Sequence, residues 1–415
     1  MLDYFYKIYK ERLHFSLNFY SVFLLITFIP DFVGLSPSLA TNFIWAIRAI
    51  TAVWIILKYF KPLYILSNSE KLFALVAGIY LMNIFVDVFW QQFPMGMGSA
   101  RDLIGFALSI LVAFAFRYDP VIVSDRSFYF FLISLSLGLI IAFFVAKQSP
   151  LPLIGRYEAN STVNTINYGQ MGCTLSLVAL YGFLNRTFKY SKLVYPLLFV
   201  LGVVSIMKAG SRSPVVVLLA VSIFYFFAKA GFFKGLALIF SAAFVFYLSL
   251  DFLVELSEAM DSSIVSRLLS AIETGETSGR DAIYENAMGH FLENPIFGNF
   301  YLIPSGVGMG GYPHNFIIEV FMTNGIIGGV PFLIMLSIAV IKSFKLLKNR
   351  HPSGWIILLL LQVILFGMFS SSLYSSQDFW ALSFFILSIG NEKSILSIFK
   401  NFGIDTKNRK VYSSI

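Results

Sequence analysis

Three side chains in the second half of the chain have the right types to act together on a phosphorylated substrate. Arg212 lies in Lys208-Ala-Gly-Ser-Arg-Ser-Pro214, a very short connector between two apolar runs. Such a connector pins the guanidinium near the ends of the segments it joins, and the planar fork suits two phosphate oxygens at once. Arg280 follows Thr277-Ser278-Gly279. Thr277 or Ser278 can cap a helix there, which would put Arg280 in its first turn, where the helix N-terminus adds a favourable field for an anion. His314 stands in Tyr312-Pro-His-Asn315. Its imidazole, with an unperturbed pKa of about 6.5, can accept a proton near neutral pH. Plainer readings stay open for all three: the arginines could hold lipid head groups or loop carboxylates, and His314 could be a satisfied interfacial residue. Asn315 and Glu319 are candidates for support, although five residues from His314 to Glu319 is a poor match to one helix face. His290, beside Phe291, reads as structural.

Other chemistries find less footing. Gly306-Val-Gly-Met-Gly-Gly311 resembles a fragment of a dinucleotide fingerprint, but no strand precedes it. It reads instead as flexible backbone that lets a lid move or a sugar chain approach. The single cysteine, Cys173, rules out an intramolecular disulfide and any Cys-based metal cluster, and four histidines leave little material for a zinc site. Neither a metal nor another cofactor is expected.

The elements that must position these residues are apolar. The chain is 58% hydrophobic with only 13% charged residues and a mean hydropathy of +0.78. A soluble domain carries about 25% charge, so most of this surface does not face water. Twelve stretches read as membrane helices: about 14–33, 40–57, 71–90, 101–116, 127–146, 168–184, 193–207, 214–229, 232–250, 315–341, 354–373 and 378–397. The expected fold class is therefore all-α, a polytopic transmembrane helical bundle of about 12 helices. Lys7, Lys10 and Arg12 precede the first stretch with no small-residue cleavage site after it, so that stretch reads as a span, not a cleaved signal.

Twelve spans put both termini on one side. Of the 30 lysines and arginines, 22 fall on that side, 7 on the other, and Arg48 lies within a span. The positive-inside rule assigns the richer side to the cytoplasm. This also accounts for the net charge of +8 with no nucleic acid as partner. Three regions follow: residues 1–250 with nine spans, a large outer loop over 251–314, and residues 315–415 with three spans and a cytoplasmic tail. In the loop, Ile264, Leu268, Leu269 and Ile272 share helical spacing, as do Ile283, Ala287 and Phe291. The loop thus reads as two helices forming a lid, the second ending at Asn294-Pro295. Arg48 and Asp87 lie inside spans and could pair.

Three segments resemble the O-antigen polymerase and ligase superfamily, bacterial inner-membrane glycosyltransferases that use undecaprenyl-diphosphate-linked glycans. They are Gly210-Ser-Arg-Ser-Pro214; Ser278-Gly-Arg-Asp-Ala-Ile-Tyr284 followed by Asn294-Pro-Ile-Phe-Gly298; and His314-Asn315 followed by Gly325-Ile-Ile-Gly328. The likeness spans about 205–340, while the first 200 residues match in hydropathy and span count. It implies a metal-independent, inverting transfer on the periplasmic face of the inner membrane. In that scheme Arg212 and Arg280 bind the diphosphate and His314 takes the proton of the attacking sugar hydroxyl. The implied partners are an undecaprenyl-diphosphate-linked oligosaccharide, membrane lipids and a polysaccharide chain-length regulator. A polymerase is the first expectation and a ligase acting on lipid A–core the second. A transporter or flippase suits the span count, but it would place its polar groups near the midplane in repeated halves, and no repeat is visible here.

Overall fold

Apolar runs bounded by Ser and Asn become helices nearly one for one. The computed structural model describes residues 27–28, 33–59, 66–90, 99–118, 122–149, 155–248, 250–274 and 279–390. The helices are α1 (Pro37–Tyr59), α2 (Asn68–Phe89), α3 (Ala100–Ala115) and α4 (Asp125–Val145), then α5 (Thr165–Asn185), α6 (Ser191–Ala209), α7 (Arg212–Ala230) and α8 (Phe232–Leu248). After them come α9 (Leu250–Ala259), α10 (Ile264–Thr274), α11 (Arg280–Glu293), α12 (Phe316–Lys348), α13 (Gly354–Gly367) and α14 (Gln377–Ser388). Two-residue strands β1 (Lys147–Gln148) and β2 (Tyr157–Glu158) pair antiparallel between α4 and α5. The fold is all-helical, as expected. Among the described residues six helices, α1, α2, α4, α6, α7 and α12, are long and apolar enough to cross a membrane, against the twelve spans expected. The expected stretch at 14–33 lies almost wholly outside the described residues, as does the end of the last one beyond residue 390.

Inside the bundle, polar and small residues make the joints. Glycines let α5 and α6 approach: a Cβ on Gly172 would lie 2.6 Å from the Gly202 carbonyl oxygen, and one on Gly202 would lie 2.5 Å from that of Gly172. Gln362 of α13 donates through Nε2 to Thr174 Oγ1 at 2.8 Å and to the Gln170 carbonyl at 3.0 Å, both on α5. Glu70 closes a capping box with Ser67 at the start of α2 and also forms a buried ion pair with Arg117 at 2.7 Å. Asp87 accepts the Tyr301 backbone N–H at 2.8 Å. The Arg48 side chain, its expected partner, lies outside the described residues.

The segment expected as a loop over 251–314 departs from the two-helix expectation. Its described residues hold three helices, α9, α10 and α11, the first in the apolar stretch that continues from α8. The helix bearing Arg280 begins at that residue, with Gly279 in the left-handed region (φ 74°) at its cap position and no side-chain cap. Thr277 and Ser278 lie outside the described residues. Asn294 does end the helix.

α12 is broken at Gly325 (φ 57°, ψ −157°), and the turn that follows α11 plugs the break. Ile326 N–H donates to the Pro295 carbonyl at 2.8 Å, Ile327 N–H to that of Ile296 at 3.2 Å, and Asn299 N–H to that of Met322 at 2.6 Å. Asn83 on α2 donates to the Thr323 carbonyl at 2.9 Å. A helix interrupted inside an apolar bundle must have its freed backbone groups satisfied by protein, and these bonds do so. Asn294-Pro-Ile-Phe-Gly298 and Gly325-Ile-Ile-Gly328 are therefore two halves of one joint. A Cβ on Gly325 would stand 2.3 Å from the Ile296 carbonyl oxygen, in a backbone conformation that alone costs a side chain about 1–3 kcal/mol. Gly325→Ala should lower the thermal unfolding midpoint in detergent. Gly78→Ala on α2, with no heavy atom within 4 Å of its Cβ, should not. Equal midpoints for the two variants would refute the joint.

Candidate functional site

The connector between α6 and α7 turns on Gly210 (φ 62°) and delivers Arg212 as the first residue of α7. Arg212 Nη1 donates to the Arg267 carbonyl at 3.1 Å, and Arg267 Nη1 donates to the Gly210 carbonyl at 2.8 Å. This reciprocal pair fastens α10 to the connector, so the guanidinium of Arg212 has a fixed base. Arg280 opens α11 and points its Nη2 at Ser370 Oγ, 3.3 Å away. Ser370 Oγ in turn donates to Ser213 Oγ at 3.5 Å, the residue next to Arg212. One hydroxyl, in the turn after α13, thus links the two arginine segments.

His314 faces the same place. It adopts a left-handed backbone, φ 59°, which is uncommon outside glycine and tends to cluster at functional sites. Its ring packs on Tyr312, centroid to centroid 4.3 Å. Its Nδ1 is buried with no hydrogen-bond partner. Burial and the neighbouring Arg280 charge pull its pKa below the ordinary histidine value, opposed in part by a backbone hydrogen bond at Ser370. Burial and charge thus favour the uncharged imidazole over the imidazolium, and one ring nitrogen is left unpartnered.

Asn315 and Glu319 support this arrangement from different directions. Asn315 caps α12, its Oδ1 accepting from Ile317 N–H at 2.9 Å and Ile318 N–H at 3.2 Å, while its Nδ2 reaches the Met368 carbonyl at 3.2 Å. Glu319 is fully buried in the core. It accepts Tyr80 Oη at 2.6 Å and the Leu373 N–H at 2.9 Å, and so holds the back of the turn that carries Ser370. Leaving a buried donor without its acceptor costs about 1–3 kcal/mol. Glu319→Ala should accordingly lower both the thermal midpoint and the activity. Glu319→Gln, which keeps one carbonyl acceptor, should lose less of each. Equal loss in the two variants would argue against a role in hydrogen bonding.

The glycine-rich stretch serves turn geometry. Gly306, Gly308 and Gly310 all have positive φ, at 77°, 84° and 77°. Asn286 of α11 fastens the turn through the Ser305 and Val307 carbonyls at 2.7 and 2.9 Å. His290, buried in α11, lies 3.2 Å from the Ser305 carbonyl, a structural position. Among the described residues no three His, Cys, Asp or Glu side chains converge as a metal site.

Ser370, Tyr312 and Tyr374 were not singled out by sequence reasoning. The available signal was the polar run Ser370-Ser-Ser-Leu-Tyr-Ser-Ser376 between two apolar stretches. Tyr374 stacks edge-on with Tyr301 at 5.5 Å and with Tyr312 at 6.2 Å, which extends an aromatic wall from His314.

Comparison with known families matches residues 197–333 to the O-antigen ligase family. The match covers a third of the chain, the third that contains Arg212, Arg280, His314 and the Gly325 joint. A search of curated proteins gave no match.

Proposed function

We propose that this chain, which belongs to the O-antigen ligase and polymerase superfamily, transfers a glycan from a polyprenyl diphosphate to a sugar hydroxyl. In this reading Arg212 and Arg280 hold the diphosphate, and their charge stabilises it as the leaving group. His314 takes the proton of the attacking hydroxyl as that oxygen displaces the diphosphate at the anomeric carbon, with inversion. The observation that carries the reading is the strained His314, with an unpartnered ring nitrogen, beside Arg280 and the Ser370 link to the Arg212 connector.

The chain would act as an inner-membrane protein of about twelve spans. Both termini would be cytoplasmic and the α9–α11 segment would form a periplasmic lid, on the charge asymmetry of its connectors. The donor would be an undecaprenyl-diphosphate-linked oligosaccharide, with membrane lipids around the site and a chain-length regulator as further partner. The first acceptor proposed is another lipid-linked repeat unit, making the protein a polymerase, since the short glycine-rich segment between Arg280 and His314 adds little structure for a lipid A–core acceptor. The second reading is a ligase acting on lipid A–core; the matched family is described as O-antigen ligase, and that match is shared by both readings.

A deletion strain examined by lipopolysaccharide gel separates the two. A single repeat unit on core identifies a polymerase, and bare core with lipid-linked polymer accumulating identifies a ligase. A wild-type ladder would refute both. Transfer by the purified protein should survive EDTA, and inhibition reversed by Mg²⁺ would overturn the metal-independent scheme.

A further inference from the structure

Arg156 lies at the same place as Arg212 and has no counterpart in the scheme above. The β1–β2 hairpin brings it there: Ser149 N–H donates to the Arg156 carbonyl at 2.8 Å, and Ser263 N–H donates to the Gly155 carbonyl at 3.0 Å. Gly210 packs so closely on this segment that a Cβ there would stand 2.6 Å from the Gly155 carbonyl oxygen and 2.9 Å from Arg156 Cγ. The hairpin, the Arg212 connector and the start of α10 are thus one knot of backbone.

The Arg156 side chain is half-buried in this knot. Its Nη2 donates to Thr165 Oγ1 at 2.6 Å, and its Nε is buried without a hydrogen-bond partner. Glu158, whose charge acts on it, accepts Ser149 Oγ at 3.0 Å and makes no ion pair with it. Burial first, and then the charge of Arg212, pull the Arg156 pKa below the usual guanidinium value. Two like charges held together in a partly desolvated place are unfavourable unless an anion sits between them. A half-buried guanidinium tied at one nitrogen to a hydroxyl and set beside a second arginine is prepared for such an anion.

We infer that Arg156 is a third phosphoryl-binding residue, set beside Arg212 to take oxygens of the lipid-linked diphosphate. The inference rests on the proposed function for the identity of the diphosphate, and the knot supplies the geometry. It assigns the β1–β2 hairpin the task of carrying a ligand-binding side chain to the α6–α7 connector.

The test is direct binding of undecaprenyl diphosphate to the purified full-length protein in neutral detergent, with no turnover required. Arg156→Gln should weaken binding roughly tenfold or more, the loss typical of one charge-assisted contact. Arg156→Lys, which keeps the charge without the fork, should fall between Gln and wild type. Undecaprenyl monophosphate should bind the wild-type protein more weakly and lose less on the same change. Thermal midpoints of both variants check that the knot remains folded. If Arg156→Gln binds undecaprenyl diphosphate like wild type while Arg212→Gln does not, the inference fails and the proposed function stands. If the wild-type protein fails to bind undecaprenyl diphosphate, the proposed function itself fails. If Arg156→Gln loses only binding of phosphatidylglycerol, Arg156 serves bulk lipid and the inference is overturned.

Discussion

Replacing His314 with asparagine should reduce glycan transfer by about 10²–10⁴-fold, the usual contribution of a positioned general base, while undecaprenyl diphosphate still binds. Asparagine is the informative substitution because His314 has φ 59°. Asparagine tolerates the left-handed region, whereas alanine would add backbone strain to the loss of the imidazole. The variant should therefore fold and retain the Asn315 cap on α12. Turnover measured with purified protein and lipid-linked donor, beside binding of undecaprenyl diphosphate, separates lost chemistry from lost affinity. Wild-type turnover in His314→Asn would remove His314 as the base.

The wild-type pH profile makes a second check on the same residue. A general base works when deprotonated, so activity falls as pH drops through its pKa. Burial and Arg280 both lower that pKa. The acid limb of the rate profile should then lie below the ordinary histidine value of about 6.5, leaving activity flat from there to neutral pH. An acid limb above that value would mean that Arg280 does not act on the base.

Local chemistry made part of this arrangement legible in the sequence. A connector as short as Gly210–Pro214 leaves few places for Arg212, and a proline-led turn before an apolar run puts His314 at the mouth of a helix. The helical character of the chain and the end of α11 at Asn294 followed from the same kind of signal. The Arg280 helix began where expected, with a left-handed Gly279 at its cap position and no side-chain cap bond. α9 was hidden because the apolar run of α8 flows into it with no breaker between them.

Contacts that join distant segments left no local trace. Ser370 reaches Arg280 across 90 positions and Ser213 across 157. Nothing in the spacing of serines distinguishes it from Ser371 or Ser372. Glu319 meets its partner Tyr80 across 239 positions. The joint at Gly325 shows the intermediate case. Both halves were visible as short motifs, and only the fold shows that one plugs a break in the other. A helix that needs a foreign turn to complete it cannot be recognised from its own residues.

Arg280→Lys should reduce transfer roughly 10–100-fold, and Arg212→Lys similarly, from loss of one charge-assisted phosphate contact. Lysine keeps the charge but offers a single ammonium in place of a fork, and it cannot reproduce both the diphosphate contact and the bond to Ser370. The loss should be accompanied by weaker binding of undecaprenyl diphosphate; unchanged affinity and turnover in both variants would refute diphosphate binding. Arg280 allows a sharper discrimination because it acts on His314 as well. A positive neighbour disfavours the protonated imidazole, so removing the charge raises the pKa of the base. Arg280→Gln should therefore move the acid limb of the pH profile to higher pH, toward the ordinary histidine value, in addition to lowering the rate. Arg280→Lys retains the charge and should leave the limb nearly where it is. If both variants lose rate but neither moves the limb, Arg280 binds substrate without tuning the base. If Gln moves it and Lys does not, one guanidinium both holds the leaving group and keeps the base neutral, which ties phosphate binding to proton transfer at a single residue.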